Sequence, residues 1–97
     1  MNLLATLLYS VARVARSGMP VEAYTAVKVK PPKAPKFKES FPKLNNVVEV
    51  LYVTGPFDFL LRIVADNTFE LSRVLEEIRS DEDVVETVTF IVLERLK

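Results

Sequence analysis

The chain has no cysteine and no histidine, and tryptophan and glutamine are missing as well. Without cysteine there is no disulfide frame, no thiolate nucleophile and no thiolate metal site. Without histidine the commonest acid–base group and the commonest metal ligand are gone. A catalytic centre would have to be built from Asp, Glu, Lys or Tyr. An excess of either charge is lacking too: 13 basic residues balance 13 acidic ones, so nothing draws the whole molecule to a polyanion. Glycine is scarce, occurring only at Gly18 and Gly55. A chain of 97 residues leaves room for one small domain. Such a domain buries only roughly two-thirds of its unfolded surface, so association is a natural route to further burial.

The charges that are present are segregated. Residues 28–43 carry Lys28, Lys30, Lys33, Lys36, Lys38 and Lys43 against Glu39, whereas residues 66–86 carry eight acids against Arg73 and Arg79. The lysine run holds Phe37 and Phe41 as its aromatics, both on a packing face, so a solvated surface is expected rather than a nucleic-acid grip. The acids of 76–83 follow no calcium-loop spacing and are expected to form a solvated helix end and turn. From Leu3 to Ala15 the chain is apolar apart from Arg13, and Arg16 follows. The positive charge falls within and after this run, the reverse of a secretory signal, and the run is too short to span a bilayer as a helix. An acid-free, Arg-bearing start has some likeness to an organelle transit peptide. The expectation taken forward is a helix docked on the domain or on a partner. Residues 1–20 are thus expected as an N-terminal helical segment and residues 21–97 as the folded domain, in the cytoplasm, with no cofactor, metal or membrane contact.

In the first segment Leu4, Leu7, Leu8, Val11, Val14 and Ala15 recur at helical spacing, and Gly18 and Pro20 end the pattern. Residues 21–29 alternate as a strand and stop at Lys30-Pro31-Pro32, because proline cannot continue a paired ladder. Between 33 and 46, Phe37, Phe41 and Leu44 share a helical face, while Pro42 interrupts it; a brief, irregular helix ending near Asn45-Asn46 is predicted. Strands are predicted over 47–53 and 57–65, flanking the turn Gly55-Pro56-Phe57-Asp58. Asn67 and Glu70 signal a helix start, and Leu71, Val74, Leu75 and Ile78 form the apolar stripe of a helix over 68–79. A last strand is predicted over 84–93, with Thr87 and Thr89 at alternate positions.

The resulting order, β-α-β-β-α-β, predicts an α+β fold of the ferredoxin-like plait type, an antiparallel sheet with both helices on one face. The strands are apolar on both faces. Phe57, Phe59, Leu61 and Ile63 lie on one side, Leu60 and Val64 on the other; Val85, Ile91 and Leu93 oppose Val84, Val88, Phe90 and Val92. Helices can cover only one side. The second needs another cover, a sister sheet or the N-terminal helix, and each buried side chain is worth about 1.5–3 kcal/mol. Asp58, set at a hairpin mouth between apolar strands, needs a partner or a ligand.

The run Val47-Val48-Glu49-Val50, then Val53-Thr54-Gly55-Pro56-Phe57-Asp58 and Leu61, followed by Val84-Val85-Glu86-Thr87-Val88-Thr89-Phe90-Ile91-Val92-Leu93, resembles the effector-binding domain of the Lrp/AsnC family, the RAM domain, over roughly residues 21–97. The resemblance implies a βαββαβ plait of the dimeric α–β barrel type that pairs sheet to sheet and often closes into octameric rings. It implies amino acid effectors held between dimers by the Gly–aromatic–Asp loop and the threonine-bearing strand. Carried over by motif, the ligand-binding residues are Thr54, Gly55, Pro56, Phe57, Asp58, Thr87 and Thr89. Asp58 could take an α-ammonium group, free loop N–H groups a carboxylate, and the two threonines supply hydroxyls. Relatives carry a helix-turn-helix domain ahead of this module. The twenty residues before the first strand cannot form one, so the resemblance is to a stand-alone RAM protein that could work through a helix-turn-helix-bearing regulator in mixed oligomers. Pro56 removes one N–H from the loop, and the prolines of 31–42 disturb the usual first helix.

Each of these residues also has a plainer role. Asp58 could cap its own loop, Thr87 and Thr89 could be β-branched strand residues, and Phe57 could fill core. Asp58 and Arg62 are the nearest thing to a catalytic pair and look structural. The leading expectation is therefore a non-enzymatic amino acid-sensing and oligomerisation module linked to transcriptional regulation. The alternatives are a purely structural assembly protein and a small ferredoxin-like enzyme with a cavity between paired sheets.

Overall fold

The first strand, β1 (Val21–Val29), runs until proline takes over, in a computed structural model that describes residues 20–97. Three short turns follow: a 3-10 turn at Pro31–Lys33, helix α1 (Ala34–Ser40) and a second 3-10 turn at Phe41–Lys43. Each piece has proline at its first or second position, where the missing N–H leaves no bond unmade. This is the irregular helix the prolines predict. It still presents one apolar face, because Phe37 stacks on Phe41 at 4.8 Å and Phe41 meets Phe59 edge-on at 5.2 Å.

The hairpin strands are β2 (Val47–Tyr52) and β3 (Phe59–Ala65), followed by helix α2 (Thr68–Arg79) and β4 (Val84–Ile91). Asn67 caps α2, its side chain accepting from the Glu70 N–H at 2.8 Å. The returning arm of the capping box reaches one residue further back, with the Asp66 N–H donating to the Glu70 carboxylate at 3.3 Å. Leu71, Val74 and Ile78 face inward.

All neighbouring strands are antiparallel, in the order β2-β3-β1-β4. This is the expected ferredoxin-like plait. Both helices cover one face. Beneath them lie Ala23, Val27 and Val29 of β1 and Phe59, Leu61, Ile63 and Ala65 of β3, each at most 2% exposed. The helix expected over 3–16 falls outside the described residues.

Three details differ from expectation. β3 begins at Phe59 rather than at residue 57, because Asp58 turns its carboxylate into the ladder. β4 ends at Ile91; Val92 still donates to the Glu22 carbonyl at 2.8 Å, and then the chain leaves the sheet. A bulge between Lys28 and Val29 sets three residues of β4 against two of β1. Val84 is thereby turned toward the core, away from the face that carries Val88 and Phe90.

The lysine run is exposed, as expected, but Lys36 reaches from it to the acidic turn, where Asp83 is buried rather than solvated. The Lys36 ammonium lies 2.8 Å from the Asp81 carboxylate and 2.9 Å from that of Asp83, which is only 7% exposed. The Lys30 N–H also donates to the Asp83 carbonyl at 2.9 Å. These contacts pin α1 to the connection between α2 and β4.

The second face of the sheet has no cover among the described residues. Leu51, Leu60, Ala26 and Val88 form a row across β2, β3, β1 and β4. Tyr24 and Phe90 stand in the next row, and Phe90 is 63% exposed.

Candidate functional site

Loop 53–58 is held at three points of backbone. The Val53 N–H donates to the Asp58 carbonyl at 2.8 Å, and the Asp58 N–H donates to the Val27 carbonyl at 2.9 Å. The third is the Asp58 carboxylate, whose Oδ2 accepts the Val29 N–H at 2.9 Å. Val29 sits at the bulge, beyond the last residue of β1 paired with β3, so Asp58 supplies the acceptor that a longer β3 would have given. Gly55 has φ +120°, a conformation that side chains rarely adopt, although a Cβ there would meet nothing within 4 Å. The requirement for glycine at this position comes from the backbone, not from crowding. Thr54, Gly55 and Pro56 are exposed, whereas Phe57 and Asp58 are half-buried.

The threonines lie on the other side of β1. Val27 pairs with Phe59 on one flank and with Thr87 on the other. Two strand spacings, about 10 Å, therefore separate the mouth of the loop from Thr87. Thr89 has its hydroxyl 2.9 Å from that of Thr25, which is fully buried, so this pair satisfies itself within the domain. Thr87 makes no such bond among the described residues. It lines a shallow depression of about 380 Å³ with Arg79, Val84, Val85 and Glu86.

The structure thus divides the seven candidates. Thr54 to Asp58 form one group and Thr87 a second, both at the end of the sheet where β1 finishes, while Thr89 is committed to Thr25. Arg79 and Glu86 were not among the sequence candidates. Arg79 borders the depression from the end of α2, a cation suited to a carboxylate on the side of the sheet that carries Thr87, whereas Glu86 stands opposite Lys28 on the other face. Only their signs were visible in the sequence; what brings Arg79 to the depression is where α2 ends.

A larger depression of about 470 Å³ lies at the start of α2 and touches none of the candidates. Asn46, Asn67 and Glu70 of its polar wall are satisfied by one another and by backbone. Asn46 donates to the Glu70 carboxylate and to the Val64 carbonyl, and Asn67 is the helix cap. Among the described residues, no group of three or more Asp or Glu stands close enough to hold a metal ion. No helix there is long and apolar enough to cross a membrane.

Arg62 does not pair with Asp58. It joins Glu22, at 2.7 Å from Nε and 2.6 Å from Nη2, and Arg95 joins the same carboxylate from the segment after β4. Glu22 is only 5% exposed, although it lies on the face without helices.

Residues 22–97 match the Lrp/AsnC ligand binding domain. A homocitrate synthase of Saccharolobus solfataricus is 34% identical over 53 residues, 55% of this chain and 12% of that enzyme. The HTH-type transcriptional regulator FL11 of Pyrococcus furiosus is 34% identical over 76 residues, 78% of this chain and 50% of the regulator. The chain therefore spans half or less of the length of these curated relatives. Among solved structures, TTHA0845 from Thermus thermophilus superposes with a TM-score of 0.75 at 26% identity, over 79% of this chain and 98% of that one. Transcriptional regulator NMB0573 from Neisseria meningitidis, in complex with L-Met, superposes with a TM-score of 0.73 at 23% identity, over 91% of this chain and 55% of that one. The plait, the loop with its Gly–aromatic–Asp motif and the match over 22–97 agree, and the chain belongs to the Lrp/AsnC ligand binding domain family.

Proposed function

We propose that this domain senses an amino acid, or a small molecule with the same charged ends, and converts binding into a change of assembly within transcriptional regulation. The observation that carries this reading is the pair Arg79 and Thr87 at one flank of β1, without side-chain partners among the described residues, with the loop 54–58 and its exposed tip Thr54-Gly55-Pro56 at the other. A free amino acid is too short to bridge about 10 Å across β1 within one copy. The two groups act on one ligand when the loop of one copy meets the β4 depression of another. Effector and oligomer are then coupled, because each completes the other's site. The L-Met complex of NMB0573 supports an amino acid as the class of effector. The described residues contain no DNA-reading helix pair, so any transcriptional output from residues 20–97 runs through what the domain assembles with, such as a helix-turn-helix-bearing relative.

A second reading is favoured by two bonds, Asp58 to the Val29 N–H and Thr89 to Thr25, which use candidate residues for architecture. In that reading the domain only assembles. The homocitrate synthase match covers 12% of the enzyme and gives no support to catalysis by this segment.

Thermal unfolding in the presence of each standard amino acid, with light scattering in parallel, separates the two. Sensing requires a rise in Tm with at least one amino acid, and Arg79→Gln should remove that rise while the fold and the unliganded mass stay unchanged. The absence of any shift, with oligomers intact, leaves assembly as the function.

A further inference from the structure

After β4 the chain continues as a short tail that is held in place without being covered. The Val92 N–H donates to the Glu22 carbonyl at 2.8 Å, and the Arg95 guanidinium bonds the Glu22 carboxylate. Leu93 stands between these two anchors and Leu96 just beyond them, 95% and 87% exposed, next to a half-exposed Ile91 at the end of the strand. The chain enters the sheet at the same place. Pro20 is joined to Val21, and Glu22 receives both anchors, so residues 1–19 join the domain one strand spacing, about 5 Å, from the start of the tail. By helical spacing those residues carry Leu4, Leu7, Leu8, Val11 and Val14 on one side, and Thr6, Tyr9, Arg13 and Arg16 on the other. A helix over 3–16 would be only about 21 Å long and marginal in water by itself, so its apolar stripe needs a cover.

We infer that residues 3–16 dock, through this stripe, on Leu93 and Leu96 of the same chain. The docking stands whether or not the domain senses an amino acid. Two other surfaces lie near residue 20 and fit an apolar stripe less well. The depression at the start of α2 has Phe69 as its one exposed large apolar residue, set among Lys43, Asn45, Glu70 and Arg73. The open sheet face begins, at this end, with the Glu22–Arg62–Arg95 group. A stripe laid over it from Pro20 would strip water from those charges before it reached Leu60. The tail leucines carry no such cost, because covering them removes only apolar surface from water.

The connection is long enough and short enough. Residues 17–20, Ser-Gly-Met-Pro, can span up to about 14 Å, and glycine and proline allow the chain to turn back. So short a tether sets a local concentration on the order of millimolar, which favours the chain's own segment over that of another copy.

Amide hydrogen exchange of the full chain, read residue by residue, tests this. Amides of 3–16 should be protected in the parent, equally in dilute and in concentrated solution. Leu93→Asp combined with Leu96→Asp should cut that protection about tenfold or more while β1 and β3 keep theirs, which shows in the same data that the fold is intact. Leu93→Ser with Leu96→Ser adds no charge and should act in the same direction. Val48→Asp, at an exposed apolar position on the far edge strand, should leave the protection unchanged. Free exchange over 3–16 in the parent overturns the docking. Protection that survives both tail variants, or that Val48→Asp removes as fully, overturns the site. Protection that vanishes on dilution makes the occupant another copy and overturns the assignment to the same chain.

Discussion

Leu61 and Leu60 are neighbours in β3, yet Leu61 is fully buried under the helices while Leu60 is 36% exposed on the other face. The same contrast runs across the sheet. The helix side of the strands is apolar apart from Thr25 and Thr89, which satisfy each other, and Thr87 at its rim. The open side mixes Leu51, Leu60, Tyr24 and Phe90 with the Glu22–Arg62–Arg95 group. A surface that closes within one chain can be wholly apolar, because it is never separated from its cover. A surface that waits for a partner must stay soluble meanwhile and must also specify which partner and which register, so charge is interleaved with leucine.

The largest effect that sharpens this contrast comes from truncating the two leucines in turn. Leu61→Ala should lose about 2–5 kcal/mol in urea unfolding, since it opens a cavity in the helix-side core. Leu60→Ala, measured at a dilution that separates copies, should stay within about 0.5 kcal/mol and weaken only the association. Equal losses would mean that the two faces are not distinct in kind.

An intermediate effect belongs to Glu22. Glu22→Ala leaves the Arg62 and Arg95 guanidinium groups facing each other without their shared carboxylate. A loss of about 1–3 kcal/mol is expected in the isolated domain, discounted for the partial exposure of both arginines. An unchanged midpoint would show that the group contributes only to pairing.

The smallest effect concerns the charged pin on the helix side. Hydrogen bonds from Lys36 hold the Asp81 and Asp83 carboxyls below their usual range, and the same contacts raise the Lys36 ammonium. Carboxyls with lowered folded values stabilise the fold above their ordinary value of about 3.9 and lose that contribution as pH falls through the folded values. Lys36→Met should therefore melt slightly below the parent near neutral pH, and the two Tm values should converge as the solution is acidified toward about pH 2. A constant gap at every pH would remove the ion pairs from the account.

Much of this molecule was legible before any coordinates. The Asn67 cap, the stripe Leu71-Val74-Ile78 and the break at Gly55-Pro56 are local signals, acting over a few residues. The proline-broken helix was readable for the same reason, since each proline constrains only its own turn. The candidate site was readable in part. Its motif marked the loop and the strand, but Thr89 turned out to serve Thr25, and Arg79 entered only through the placement of α2 against β4. The lysine run is solvated as expected, but the contact of Lys36 with Asp81 and with buried Asp83 went unread because it spans 45 and 47 residues of chain.

By itself, then, the sequence determined the order of elements, their caps and turns, and the need for cover on both sides of the sheet. These follow from periodicity and backbone preference, which operate between near neighbours. Tertiary structure decided which carboxylate serves which donor. Asp58 reaches Val29 across 29 positions, and Glu22 reaches Arg62 across 40 and Arg95 across 73. Those pairings hang on strand register and on the bulges at Lys28/Val29 and Val47/Glu49, and a shift of one residue would send every one of these side chains to the opposite face.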